Sequence, residues 1–486
     1  MTRFATAVGG LLLVVAALVV GAVTGPAAGA AAPGDAEERA AQAPQAPAPG
    51  ATPAPGAPAA AASPPAPLLR VPDPRAGENP VHPLVPMAMP EAGKPFTDPR
   101  FGTHLVRATE SRGLRHEYSR HDPFNTGCSL VLLHRVEGGG WEVYRTASLP
   151  YDRPGNLVRA IDLEEARWDP AEADLLWGTR EFRIETLNVR TGEVRIVKDF
   201  TKDPRVAPLL KAEPDLYRVT MKDEGETSLD KRYWALAIQG SADDYRLRHL
   251  VVWDRREDKV LGLRRLAREE SDIDWVGMSP LGTWVLLGGM AENRAPLAGL
   301  VIADKALGEF HRIDHSTAHA DVGLDAAGRE VVVMQNTRTD HIDMIPLDPK
   351  TGPMLEGGPY EGTGRVPLVR LYYNSESPAG FGSGVHISCN TPGWAVVSTY
   401  MEPGRKEQNW LDRSIILVRL DARRPEAFYL AKVYSTCGAY WEETQATISA
   451  DGSRVVWAAD WDRDVGKERP VLMQLGMPAG WKGLMK

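Results

Sequence analysis

Residues 448–460 read ISADGSRVVWAAD: a polar Ser-Ala-Asp-Gly turn at 449–452, then at once a short apolar strand at 455–459. Ser and Asp favour such a turn because their side chains bond nearby backbone groups, and Gly supplies the positive φ the turn needs. Six further stretches share the form: FNTGCSLVLLH from Phe124, WDPAEADLLWG from Trp168, SLDKRYWALAI from Ser228, MSPLGTWVLLGG from Met278, LDAAGREVVVM from Leu324 and SCNTPGWAVVST from Ser388. Anchored at Asn125, Asp169, Ser228, Ser279, Asp325, Ser388 and Ser449, the turns recur at a mean of about 54 residues, near the long end for four-stranded propeller blades.

Each copy continues as a hairpin. TLNVRTGEVRIV, LVVWDRREDKVLGL, GLVIADKALGEFHRI, MIPLDPKTG and ILVRLDARRPEAFYL are apolar runs broken by charged or Gly turns, the pattern of paired strands. Helix-period stretches are nearly absent, and short strands at regular spacing leave a sandwich or a propeller. Seven self-similar units favour an all-β, seven-bladed propeller. The last copy lacks an obvious fourth strand, so THLVRAT from Thr103 is expected to complete the last blade and remove an exposed edge.

The rest of the 486-residue chain reads differently. Arg3 precedes an uncharged apolar run at 4–23, followed by Ala28 and Ala30 in an A-x-A arrangement. Residues 1–30 are therefore a secretory signal peptide or an N-terminal membrane anchor. Residues 31–67 are nearly all Ala, Pro and Gly, the composition of an unstructured tether. An extended lead-in at 68–100 and the propeller at 101–486 complete the layout. The protein is expected to be exported, whether periplasmic, secreted or membrane-tethered, and monomeric. A formal charge of -8 without a Lys/Arg run excludes nucleic acid as the main partner. Of the cysteines Cys128, Cys389 and Cys437, either Cys389 pairs with Cys437 or all three are unpaired and buried; none has C-x-x-C spacing.

A propeller's innermost strands line a central channel and directly precede the polar turns. Counting back four from each anchor gives His121, Glu165, Glu224, Trp275, Asp321, Gly384 and Gln445; nearby positions add His116, Tyr118, Arg167, Asp274, His319, His386 and Glu443. Polar residues where a buried strand should be apolar imply a hydrated channel, which is either a site or a lining for ordered water. Trp275 and Trp441 have the character to stack on a sugar ring. His116, Glu117 and His121 form H-E-x-x-x-H, one residue too long for a zincin helix. The loop DWDRDVGKE from Asp460 has alternate carboxylates, but Gly466 falls one place late for an EF-hand, and a solvated acidic loop is the better reading.

The turns ISADGSRVVWAADW and MSPLGTWVLLGG resemble the repeats of TolB-type propellers, and 101–486 is similar in layout to the oligogalacturonate lyase family. RHEYSRHDPFN from Arg115 and HISCNTPGW from His386 resemble segments of exported propellers in that wider group. The lyases use channel histidines and a divalent metal to split acidic sugars by β-elimination. For this chain the resemblance implies catalytic roles for His319 and Arg167, substrate contacts from His116, Tyr118, Trp275 and Trp441, and a divalent metal, Mn or Ca, held by His386, Gln445 and Glu443. The family's last blade carries a paired-histidine metal motif before its turn; Glu443 and Gln445 stand there instead. Two functional classes follow: a lyase acting on uronate-containing oligosaccharide, and a non-catalytic TolB-like propeller binding a protein of the cell envelope.

Overall fold

The computed structural model describes residues 68–484 apart from 77–78, 242–244, 290–296, 316, 318, 337–338, 352–363, 372–383, 402 and 405–408. The expected signal or anchor and the tether, 1–67, lie outside the described residues. Seven antiparallel sheets follow one another along the chain, six of four strands and one of five. The polar turns make the reversals. In the last copy Gly452 N–H donates to Ser449 O (2.8 Å) and Ser449 N–H to Arg454 O (2.9 Å), Ser449 Oγ donates to Asp451 (2.7 Å), and Gly452 sits at φ 70. Lys231 on Ser228 and Gly282 on Ser279 repeat the first bond.

The first strands of blades 1 to 7 are Leu114–Arg115, Glu164–Trp168, Leu216–Thr220, Ile273–Met278, Ala320–Leu324, Val385–Ser388 and Thr447–Ile448. One turn begins later than its sequence anchor. Ser388 is still in strand, paired with Val396, and His386 pairs with Ser398. The residue level with Asp321 of blade 5 is therefore His386 rather than Gly384. In the last sheet Val471–Gly476 pairs with His104–Arg107, with Leu475 opposite Leu105, and that strand pairs in turn with Pro95–Thr97. The sheet thus gains two strands from the N-terminal side, where the sequence pattern indicated one.

The lead-in runs across the outer edges of blades 5 to 7. Tyr429 N–H donates to Leu69 O and Val71 N–H to Ala427 O (both 2.8 Å), so 69–71 lie along the last strand of blade 6, and Arg370 N–H of blade 5 donates to Pro74 O (2.8 Å). Tyr434 Oη reaches Val85 O (2.9 Å) and Trp461 Nε1 reaches Met87 O (2.9 Å). Phe101 stacks on Tyr429 at 4.7 Å between ring centroids. The apolar core lies between neighbouring blades; one cluster joins Trp275, Leu286 and Ile302 of blade 4 to Val332, Met334 and Ile345 of blade 5.

Cys128, Cys389 and Cys437 are all free and buried, which corrects the disulfide alternative. Cys389 directly follows the first strand of blade 6, where its backbone N–H is held by Asp321. Cys437 donates its thiol to Glu442 O at 3.2 Å. Each is fixed by a different partner, and each thiol is pushed well above its ordinary pKa by burial.

Candidate functional site

The first strand of blade 1 is only two residues long, Leu114–Arg115. The next seven residues, HEYSRHD at 116–122, leave the sheet and turn into the channel. There they meet every other blade. His116 Nε2 bonds Gln445 O of blade 7 (2.5 Å), and Glu117 pairs with Arg167 of blade 2 (2.7 Å). The Tyr118 ring meets His386 of blade 6 edge-on at 5.5 Å. Arg120 pairs with Glu224 of blade 3 (3.3 Å) and lies 4.5 Å over the Trp275 ring of blade 4, while its charge acts on Asp321 of blade 5. His121 bonds Glu226 (3.1 Å). These residues form a plug. A cavity of about 10 Å³ flanks it beside Arg120, Trp275 and Asp321, room for about one water.

Backbone strain accompanies the plug. Glu165 and Gln445 both adopt positive φ, 52 and 42, which costs a non-glycine residue on the order of 1 kcal/mol or more. The Glu165 carboxylate explains its own kink, accepting from Thr179 Oγ1 (3.0 Å), Thr220 Oγ1 (2.8 Å), Met221 N–H (2.7 Å) and Asp223 N–H (3.0 Å). One buried carboxylate thus ties blade 2 to blade 3.

At one level of the channel blades 5, 6 and 7 meet. His386 Nε2 bonds Glu443 Oε2 at 2.8 Å, and the His319 and His386 rings lie 4.7 Å apart, edge to face. Gln445 Nε2 donates to the same Glu443 oxygen (3.4 Å), and Tyr400 bonds Glu443 as well. Burial works to raise the Glu443 pKa, yet the hydrogen bond and charge of His386 hold it below the usual carboxylate value. Burial, with His386 beside it, drives His319 down to about 3, so His319 is neutral at ordinary pH. His116, buried next to Arg115, lies well below its ordinary value too.

Arg167 belongs to another level. It lies two residues before its turn, whereas His319 lies six before its own, a difference of about 13 Å along parallel strands at roughly 3.3 Å per residue. Its guanidinium is spent on Glu117, on Asp223 O (2.6 Å) and on His121 Nε2 (2.7 Å). Of the residues singled out from sequence, then, His319, His386, Glu443, Gln445, His116 and Tyr118 come together and Arg167 does not. Trp275 is 3 % exposed with one face covered by Arg120, which leaves no open face for a sugar. Trp441 packs against His134 at 4.7 Å and under Arg115. Residues that the sequence reading gave no role in the site do much of the joining: Arg115, Glu117, Arg120, Glu226 and Tyr400. The signal for the plug was in RHEYSRHD, whose charges and aromatics break the alternation a strand would show.

The donor set around His386 does not fit a divalent ion. Among the described residues no three His, Cys, Asp or Glu side chains are placed to hold one, and Mn or Ca takes six or more ligands, most of them oxygens. Gln445 Oε1 already accepts from Arg115 Nη2 at 2.6 Å, which sets a fixed cation beside that oxygen.

The plug ends on a titratable seam. Asp122 accepts from Ala450 N–H of blade 7 (2.7 Å) and from Phe124 N–H (2.9 Å), but burial outweighs those bonds and raises its pKa from 3.8 to about 7. The folded state therefore holds this proton more tightly than the unfolded chain does. Asp122's contribution to stability must fall as pH rises through about 4 to 7. Asp122→Asn is expected to remove that part of the slope when melting temperature is followed against pH; an unchanged slope would mean Asp122 titrates normally.

Fold and channel together define a seven-bladed β-propeller whose channel is filled by its own chain. Among solved structures it is similar to an oligogalacturonate lyase in complex with manganese, at TM-score 0.52 and 10 % identity over 81 % of this chain and 97 % of that one. It is similar too to an oligogalacturonate lyase from Vibrio parahaemolyticus, at TM-score 0.51 and 10 % identity over 80 % and 97 %. At this identity the likeness carries the fold. No family model and no curated protein matches the sequence.

Proposed function

We propose that this chain is an exported, non-catalytic interaction propeller of the cell envelope, its channel serving as a structural axle and its rim meeting a protein partner. One observation carries this reading: the plug at 116–122 fills the channel, and the buried guanidinium groups there already spend terminal nitrogens on the protein's own carboxylate and amide oxygens. Elimination from a uronate needs a cation or donor aimed at the charge that develops on the carboxylate side. Arg115, Arg120 and Arg167 are committed to Gln445, Glu224 and Glu117 respectively. The residues near the channel that do reach solvent include Glu224, Asp274 and Glu443. An acidic oligosaccharide would meet like charge at these carboxylates.

A second reading rests on the His386–Glu443 pair beside neutral His319 and the Tyr118 ring, groups able to move a proton on a glycan. In that case the protein is a polysaccharide lyase on uronate-containing chains, as the fold neighbours suggest. Incubating the purified protein with a panel of acidic oligosaccharides and following the ultraviolet absorbance of the unsaturated product separates the two. No product is expected. Product formation that His319→Ala abolishes would overturn the interaction reading and establish the lyase.

A further inference from the structure

We propose that the Arg115 guanidinium is the resident cation of this channel, doing for the last-blade segment 441–445 what a metal ion would do. The side chain is 0 % exposed and among the largest fully buried ones in the protein. A charge so placed is costly unless it is paired or surrounded by hydrogen-bond acceptors. Among the described residues no carboxylate forms a salt bridge with it. Its partners are four oxygens: Trp441 O (2.6 Å), Glu443 O (3.2 Å), Gln445 Oε1 (2.6 Å) and its neighbour His116 O (2.9 Å). The Trp441 ring adds its face at 5.6 Å.

That shell of carbonyl and amide oxygens is the kind a hard cation collects. Three of the four come from residues 441, 443 and 445, alternate positions of one segment, which Arg115 gathers around a single point. The same contact decides how Gln445 faces: with Oε1 held by Arg115, the amide nitrogen is left to donate to Glu443. Glu443 then sits between His386 and Gln445 as an anion already supplied with donors. Burial brings the Arg115 pKa down only to about 10, so the charge persists at neutral pH. A divalent ion arriving at His386 and Glu443 would compete with Arg115 for the Gln445 oxygen and meet a fixed positive charge next to it.

The test is metal binding, which does not depend on any activity. Wild-type protein, stripped with chelator and titrated with Mn²⁺ by calorimetry and by electron paramagnetic resonance, is expected to show no specific site. Stoichiometric binding that His386→Ala removes would overturn the proposal. Arg115→Met discharges the centre and frees Gln445 Oε1; a folded variant should bind Mn²⁺ at least about tenfold more tightly than wild type, the scale of effects seen when groups behind a metal's ligands change. A folded Arg115→Met protein that binds Mn²⁺ no better than wild type would overturn the role given to Arg115. If that variant does not fold, the wild-type titration decides alone.

Discussion

Val332→Asp is expected to leave no cooperatively folded protein. Val332 is 0 % exposed and sits in the strand Glu330–Asn336 with Val322 on one side and Ile345 on the other. It packs in the cluster formed by Trp275, Leu286 and Ile302 of the preceding blade. A carboxylate there would border only the cavity of about 10 Å³ beside Arg120, where there is room for about one water and the guanidinium is already paired with Glu224. Burying it costs several kcal/mol, and leaving it neutral still strands a polar group while removing an apolar contact. Single domains hold only about 5–15 kcal/mol in total, so this one change consumes much of the reserve. Circular dichroism on heating checks it. Val332→Ala, which costs about 2 kcal/mol or more as a cavity, should still melt cooperatively at a lower temperature. A soluble Val332→Asp protein with a sharp transition would mean the strand does not lie between blades.

The blades were legible because each reports itself locally. A turn such as Ser449–Gly452 and the short apolar strand after it depend on residues within about ten positions of each other. The channel was less legible, because its chemistry depends on distant partners. Polar residues at His386, Gln445 and Glu443 stood out against a pattern that should have been apolar, and they do meet. Arg167 stood out for the same reason but faces Glu117, since which level a residue occupies follows from its offset to the turn and not from its type. The two-residue shift at Ser388 hid the alignment of His386 with Asp321. The plug was read as a strand because RHEYSRHD precedes a blade turn as the other first strands do. Only its partners, spread from Arg167 to Gln445 along the chain, show that it had left the sheet. A buried arginine such as Arg115 gives no sequence signal at all, because what permits its burial is a set of backbone oxygens 326 to 328 residues away.

The lead-in and the outer strand His104–Arg107 of the last blade should together prove as necessary as any blade. A chain beginning at Leu68 and one beginning at Ala108 differ by the segment along blades 5 and 6 and by the two outer strands of the last sheet. The removed residues include Val71, Phe101, Leu105 and Val106, all of them buried. At about 1.5–3 kcal/mol for each fully buried side chain of this size, four of them approach the whole stability expected of a domain. The deletion also bares the strand Val471–Gly476 along the edge now paired with His104–Arg107, and a long apolar open edge invites association. Thr103 adds a link that cannot be rebuilt from the propeller side, since its Oγ1 donates to Leu430 O (2.5 Å), while Asp98 next to it accepts from Lys432 N–H (2.9 Å). The chain from Ala108 is therefore expected to aggregate or to unfold without a cooperative transition, while the chain from Leu68 melts as a unit. Scanning calorimetry and light scattering on the two proteins give the answer. If the shorter chain stays monomeric and melts within a few degrees of the longer, the ring is held shut by the contacts between blades 1 and 7 alone. The seam at Asp122 and Ala450 would then carry the closure.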